Sequence, residues 1–189
     1  GDLGRAKHTL RYLRGTAALG LVFRRPLHPQ HQDVIVGYAD ASWASTPATS
    51  KSLSAYVFMV NGAAVAWRTR SQSIVAMSTT EAEADALASA TRQALFLRGL
   101  AEELGLPQHG PTLLHQDNQA TMSLVVNPMV SSRTKHTALR VHFTREQLKL
   151  GHIRLQFCSS SDMLADLLTK ALPSPQHQRL RTLIMGLED

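Results

Sequence analysis

Along residues 33–67 apolar side chains alternate with polar ones at the two-residue period of a strand. "DVIVGYADASW" (33–43) places Val34, Val36 and Tyr38 on one face. "LSAYVFMVNGAAVAW" (53–67) reads as a hairpin, two β-rich runs split by Asn61-Gly62. The period then lengthens. Leu87, Ala90, Ala94, Leu97, Ala101 and Leu104 recur at steps of three and four, which predicts a helix from Thr79 to Leu104, stopped by Gly105 and Pro107. Beyond it, "PTLLHQ" (111–116) reads as a strand and "DNQATMSLVV" (117–126) as a helix. Residues 136–149 read as a helix stopped by Gly151, "HIRLQF" (152–157) as a strand, "DMLADLLTKAL" (162–172) as a helix up to Pro173, and the remainder as one more helix. At the start, "RAKHTLRYLR" (5–14) predicts a short basic helix, "LGLVF" (19–23) a strand, and "RRPLHPQHQ" (24–32) a loop. His28 and His31 in that loop have no third ligand nearby and read as solvated. Strands first, then helices alternating with strands, give an α/β sandwich with a mixed sheet.

Composition narrows the setting. A chain of 189 residues, 43% hydrophobic, is one ordinary domain with short appendages. Its single cysteine, Cys158, excludes a disulfide framework and a Cys-rich zinc site, and fits a reducing intracellular setting. No apolar run approaches the roughly 18 residues of a membrane span, so no membrane partner is expected. The surplus of 20 Lys and Arg over 14 Asp and Glu suits a polyanionic partner, and equally suits plain solubility. A first residue Gly rather than Met reads as a piece of something larger.

The acids carry the chemistry. In "STTEAEADAL" (78–87), Ser78 and Glu81 form a capping box, so Glu81 serves the helix. Extending the apolar stripe backward by four reaches Glu83, whereas Glu81 lies about 200° away, toward solvent. A glutamate on a buried stripe carries a desolvation penalty unless cations or donors meet it. Asp85 is read on the solvent side with Glu81, offsetting the helix dipole. Asp40 continues the Val34–Val36–Tyr38 face, toward the covering layer. Asp117 ends a strand and could be a plain N-cap. Asp166 sits inside a helical run for which Asp162 is the more natural cap, and surface exposure would also explain it. Brought together, four acids would repel unless divalent cations sat between them, and all-oxygen ligation suits Mg²⁺.

The ordered pieces "RYLRGT" with "GLVF", "GYADASWA", "KSLSAYVFMVNGAAVAW", "STTEAEADALA", "DNQATMSLVVNP", "SRTKH" with "VHFTRE", and "LADLLTKALP" resemble the ribonuclease H domain of copia-type (pseudovirus) LTR retrotransposons. The resemblance covers nearly the whole chain. It implies a ribonuclease H-like α/β fold: a five-stranded mixed sheet, antiparallel hairpin plus parallel strands, flanked by helices. It implies residues 1–25 as the tail of the reverse transcriptase/connection region, 26–173 as the ribonuclease H domain and 174–189 as a C-terminal helical extension. The superfamily's Asp, Glu, Asp, Asp set falls on Asp40, Glu83, Asp117 and Asp166, with Glu81 a fallback for the glutamate.

What the resemblance implies is hydrolysis of the RNA strand of an RNA–DNA hybrid, leaving a 3′-hydroxyl and a 5′-phosphate. Two Mg²⁺ ions, or Mn²⁺ in their place, would be held by the four acids, Asp40 bridging both. Expected substrate contacts are Ser42, Lys51, Ser52, Ser78, Thr79, Thr80, Asn118, Gln119, Arg133 and Lys135, with 2′-hydroxyl recognition at Thr79, Thr80 and Asn118-Gln119. Expected partners are the hybrid and the reverse transcriptase domain of the same polyprotein, in a virus-like particle in the cytoplasm or in the nucleus. The chain departs from the family at Ser42, commonly a second Asp, at Ala55, usually Gly, and at Thr137, Ala138 and Val141. "CSSSDMLAD" also lacks the histidine that cellular ribonucleases H use in product release, which predicts modest turnover. The rival reading is a catalytically idle RNA/DNA-binding module of retroelement origin.

Overall fold

The structure, a computed structural model, describes residues 2–25, 34–46, 48–127 and 135–187. His28, His31 and Arg133 lie outside these residues, as does the side chain of Lys135. The elements run α1 (Asp2–Gly15), β1 (Val36–Thr46), β2 (Lys51–Val60), β3 (Ala63–Ser71), α2 (Thr79–Glu103), β4 (Thr112–Gln116), α3 (Gln119–Val126), α4 (Lys135–Lys149), β5 (Ile153–Phe157), α5 (Asp166–Thr169) and α6 (Ser174–Met185). They build the expected five-stranded mixed sheet, ordered β3-β2-β1-β4-β5. The pairs β1/β2 and β2/β3 are antiparallel, while β1/β4 and β4/β5 are parallel.

The hairpin forms where the turn chemistry placed it. Val60 pairs with Ala63 across Asn61 (φ 51°) and Gly62 (φ 86°), and two successive positive φ values fit the twist of the flanking strands. Alternation then sends side chains to two cores. Ile35, Ala39, Tyr56, Phe58, Leu114 and Ile153 meet α2, with Val125 of α3 and Val141 of α4, on one face. Tyr38 and Val57 meet Leu164, Leu167 and Leu180, around α5 and α6, on the other. Gly37 sits between Phe58 and Leu114, where a Cβ would lie 2.5 and 2.6 Å from their side chains.

Helix α2 starts at Ser78, whose hydroxyl accepts from Glu81 N at 3.2 Å, while Glu81 Oε2 accepts from Met77 N at 2.8 Å. It ends where Gly105 turns left-handed (φ 76°) and Leu106 N returns to Ala101 O. The predicted stripe is buried through Leu97, but Leu104, the C-cap, is exposed. Residues 82–88 are buried all round, enclosed by β1, β2, α3 and α4.

Three expectations need correction. Residues 19–25 form no strand: Leu21, Val22 and Phe23 are exposed, and the segment makes isolated bonds, Val22 N to Met185 O and Arg24 N to Asn61 O. The run 162–172 forms only one helical turn, α5, because residues 163–165 pack as a buried turn. Asp162 does not cap it; that carboxylate pairs with Arg179 at 2.6 Å. Asp85 is buried rather than solvent-facing, and its carboxylate binds Arg140 Nε at 2.7 Å.

Candidate active site

The site follows from the register of the two central parallel strands. Tyr38 of β1 pairs with His115 of β4, and their rings stack with centroids 4.5 Å apart. Two residues beyond Tyr38 on β1 comes Asp40, and two beyond His115, just past the carboxyl end of β4, comes Asp117. Glu83 reaches them from the first turns of α2. One carboxylate oxygen each from Asp40, Glu83 and Asp117 lie within 4.8 Å of one another. Asp40 and Glu83 are buried, Asp117 is half-buried, and Asp166 is buried on α5.

Asp166 stands outside that trio and is joined to it by a lysine. Lys170 Nζ donates to Asp40 Oδ1 at 3.1 Å and to Asp166 Oδ1 at 2.7 Å. Thr169 Oγ1 donates to Asp40 Oδ2. Ser160 Oγ donates to Asp117 at 2.9 Å. Behind the trio, the buried Gln116 amide donates to Glu83 at 3.3 Å, and its oxygen accepts from the backbone of Asp117 and Asn118 at 2.8 and 3.1 Å. One side chain thereby fixes the glutamate to the loop that carries the third acid.

Electrostatics mark the cluster as short of positive charge. Burial, then the charges of Asp40 and Asp117, push Glu83 up to about 9 against the hydrogen bonds of Ala41 N and Gln116. Burial also raises Asp166, opposed by its bond to Lys170. Burial and the nearby acids Asp162, Asp117 and Asp166 hold the Cys158 thiol up at about 11, so it stays neutral. A hard divalent cation fits this donor set: carboxylate oxygens alone, close enough to share an ion, one of them protonated for want of a counter-charge.

The expected substrate contacts divide. Thr79 and Gln119 are exposed, and Ser42, Lys51 and Thr80 are half-buried. Ser78 and Asn118 spend their side-chain oxygens as N-caps of α2 and α3, Asn118 Oδ1 accepting from Thr121 N at 2.9 Å. Asp117 is therefore not the cap. Ser52, expected to touch substrate, is instead fully buried, and its hydroxyl accepts from the backbone of Ala44, which has φ 48°. Gln116, Thr169 and Lys170 were not singled out from the sequence. The spacing of four between Asp166 and Lys170 was the available signal.

No protein-family model matches the chain. The retrovirus-related Pol polyprotein of transposon TNT 1-94 from Nicotiana tabacum is 33% identical over 178 residues, 94% of this chain and 13% of that protein. The Pol polyprotein of transposon RE2 from Arabidopsis thaliana is 34% identical over 170 residues, 88% of this chain and 11% of that protein. The chain thus spans about an eighth of the length of these curated relatives. Among solved structures, LC11-RNase H1 in complex with an RNA/DNA hybrid superposes with TM-score 0.53 at 14% identity, covering 71% of this chain and 93% of that one, which fixes the fold. By sequence the chain is a relative of one segment of copia-type retrotransposon Pol polyproteins, and its fold is that of the ribonucleases H.

Proposed function

We propose that the chain hydrolyses the RNA strand of RNA–DNA hybrids during reverse transcription, leaving 3′-hydroxyl and 5′-phosphate ends. The observation that carries this reading is the convergence of Asp40, Glu83 and Asp117 from three elements, with Asp166 beside them. The likeness to a ribonuclease H solved with a hybrid supports the substrate class. Asp40, Glu83 and Asp117 would hold one divalent cation, Mg²⁺ or Mn²⁺, and Asp40 with Asp166 a second. Such ions supply a nucleophilic hydroxide and stabilise the departing 3′ oxygen.

The chain's own groups prepare that chemistry. Gln116 orients Glu83, and Ser160 orients Asp117. Thr169 and Lys170 each donate to one oxygen of the buried Asp40 carboxylate. Thr79, Thr80 and Gln119 flank the acids and are the groups proposed to read 2′-hydroxyls, while Lys51, Arg133 and Lys135 would meet phosphates. The reverse transcriptase domain of the same polyprotein is the proposed covalent partner.

A hybrid labelled on either strand tests the proposal. RNA cleavage alone, dependent on Mg²⁺ or Mn²⁺ and abolished by Asp40→Asn and by Glu83→Gln, is the expected result. Full activity in Glu83→Gln with loss in Glu81→Gln would reassign the glutamate. Hybrid binding without cleavage in either metal would leave an idle binding module.

A further inference from the structure

The four acids are unequally provided with counter-charge. Among the described residues, ion pairs place a cation on Asp40 and on Asp166, both from Lys170, and none on Glu83 or Asp117. The position of Lys170 is built in. It is the C-cap of α5, its backbone N–H donates to Asp166 O at 2.9 Å, and it follows Asp166 by one helical turn. Its side chain is 35% exposed, so the ammonium has a path to water, whereas Asp40 has none. Thr169, the preceding residue, holds the other oxygen of Asp40.

From this the geometry points to Lys170 as a resident counter-ion for the second cation position, the one between Asp40 and Asp166. It neutralises those acids while the position is empty, and it must swing out before a divalent cation takes the same oxygens. The inference rests on the two-cation reading above and adds an order of filling. An ion at the position formed by Glu83 and Asp117 with Asp40 competes with the lysine at Asp40 alone, whereas one at the Asp40–Asp166 position must displace the lysine from both of its acids. Lys170 is thus a positioning residue that makes the second binding step weaker than the first.

Mn²⁺ alone, titrated into the full chain without nucleic acid, tests this by calorimetry and by the electron paramagnetic resonance of free Mn²⁺. Wild type should show two classes of site. Lys170→Met should tighten the weaker class by about fivefold, the upper end for a partly exposed ion pair, and tighten the stronger class, which shares only Asp40 with the lysine, by clearly less. Lys170→Met should also lower the melting temperature of the metal-free protein, Lys170→Arg should largely restore it, and Mn²⁺ should rescue the Met variant. Asp166→Asn should erase the weaker class only. Unchanged Mn²⁺ binding in Lys170→Met, or an equal shift in both classes, would overturn the role of Lys170 while leaving the nuclease reading intact. If neither wild type nor Lys170→Met binds Mn²⁺, the cation reading itself falls and takes this inference with it. Binding that appears only in Lys170→Met supports the lysine as a block.

Discussion

Replacing Asp85 with alanine probes a buried charge that is not part of the acidic trio. Its carboxylate, 4% exposed, accepts from Arg140 Nε at 2.7 Å and from Ser54 Oγ at 3.3 Å, and lies 3.7 Å from Arg70. Removing one partner of a buried ion pair costs about 3–5 kcal/mol when the surviving charge stays buried. Here the survivors are 27% and 39% exposed, so water recovers part of that loss. Ser54 keeps the bond from Gln72 at 2.7 Å but loses its acceptor. A destabilisation of about 2–3 kcal/mol follows, below the fully buried figure. For a domain of this size that is a fall of roughly 5–10 °C in melting temperature. Urea unfolding of Asp85→Ala, Arg140→Ala and the double variant measures it, with an expected coupling of about 1–2 kcal/mol. Asp85→Asn should fall between, since an amide can still accept from Ser54. Hybrid cleavage per folded molecule should persist, because Asp85 lies outside the trio. A loss below about 0.5 kcal/mol, or additive single variants, would refute the ion-pair account.

The other expectations are simpler. Gly37→Ala forces a methyl against Phe58 and Leu114 and should cost about 1–3 kcal/mol in denaturant unfolding. Ser78→Ala removes the N-cap of α2 and should cost about 1 kcal/mol by the same measurement. Glu83, raised to about 9, keeps its proton in the folded metal-free protein over a range where the unfolded chain has lost it. The stability this contributes is complete below the ordinary value of 4.5 and is lost as pH climbs toward 9. Melting of the metal-free protein across that range should therefore show a downward slope that flattens in Glu83→Gln. Mg²⁺ binding near neutrality should release a proton and tighten with rising pH, and a pH-independent affinity would count against Glu83 as a ligand.

Where one rule governed a position, the sequence was enough to read it. Asn61-Gly62 could only be a tight turn, alternation put Asp40 on the inner face, and the helical stripe selected Glu83 over Glu81. Longer-range neighbours overrode local pattern elsewhere. Asp85 looked solvated because helical angle assumes one buried face, yet the first half of α2 is enclosed on all sides and an arginine from α4 meets the charge. "LGLVF" has strand composition, yet among the described residues it joins no ladder, Val22 N bonding Met185 O instead. "DMLADLLTKAL" has helical spacing, but burial of residues 163–165 and Pro173 leave room for a single turn.

The order of most elements, the mixed sheet and the buried faces that carry Asp40 and Glu83 were therefore legible in periodicity and turn chemistry, which act over a few residues. Which acids share space, which is paired with lysine, and which glutamate goes short of charge were decided by the fold. Those properties depend on distances between side chains far apart in sequence, and only the register of β1 on β4 and the docking of α2 and α5 onto β1 bring them to a few ångströms.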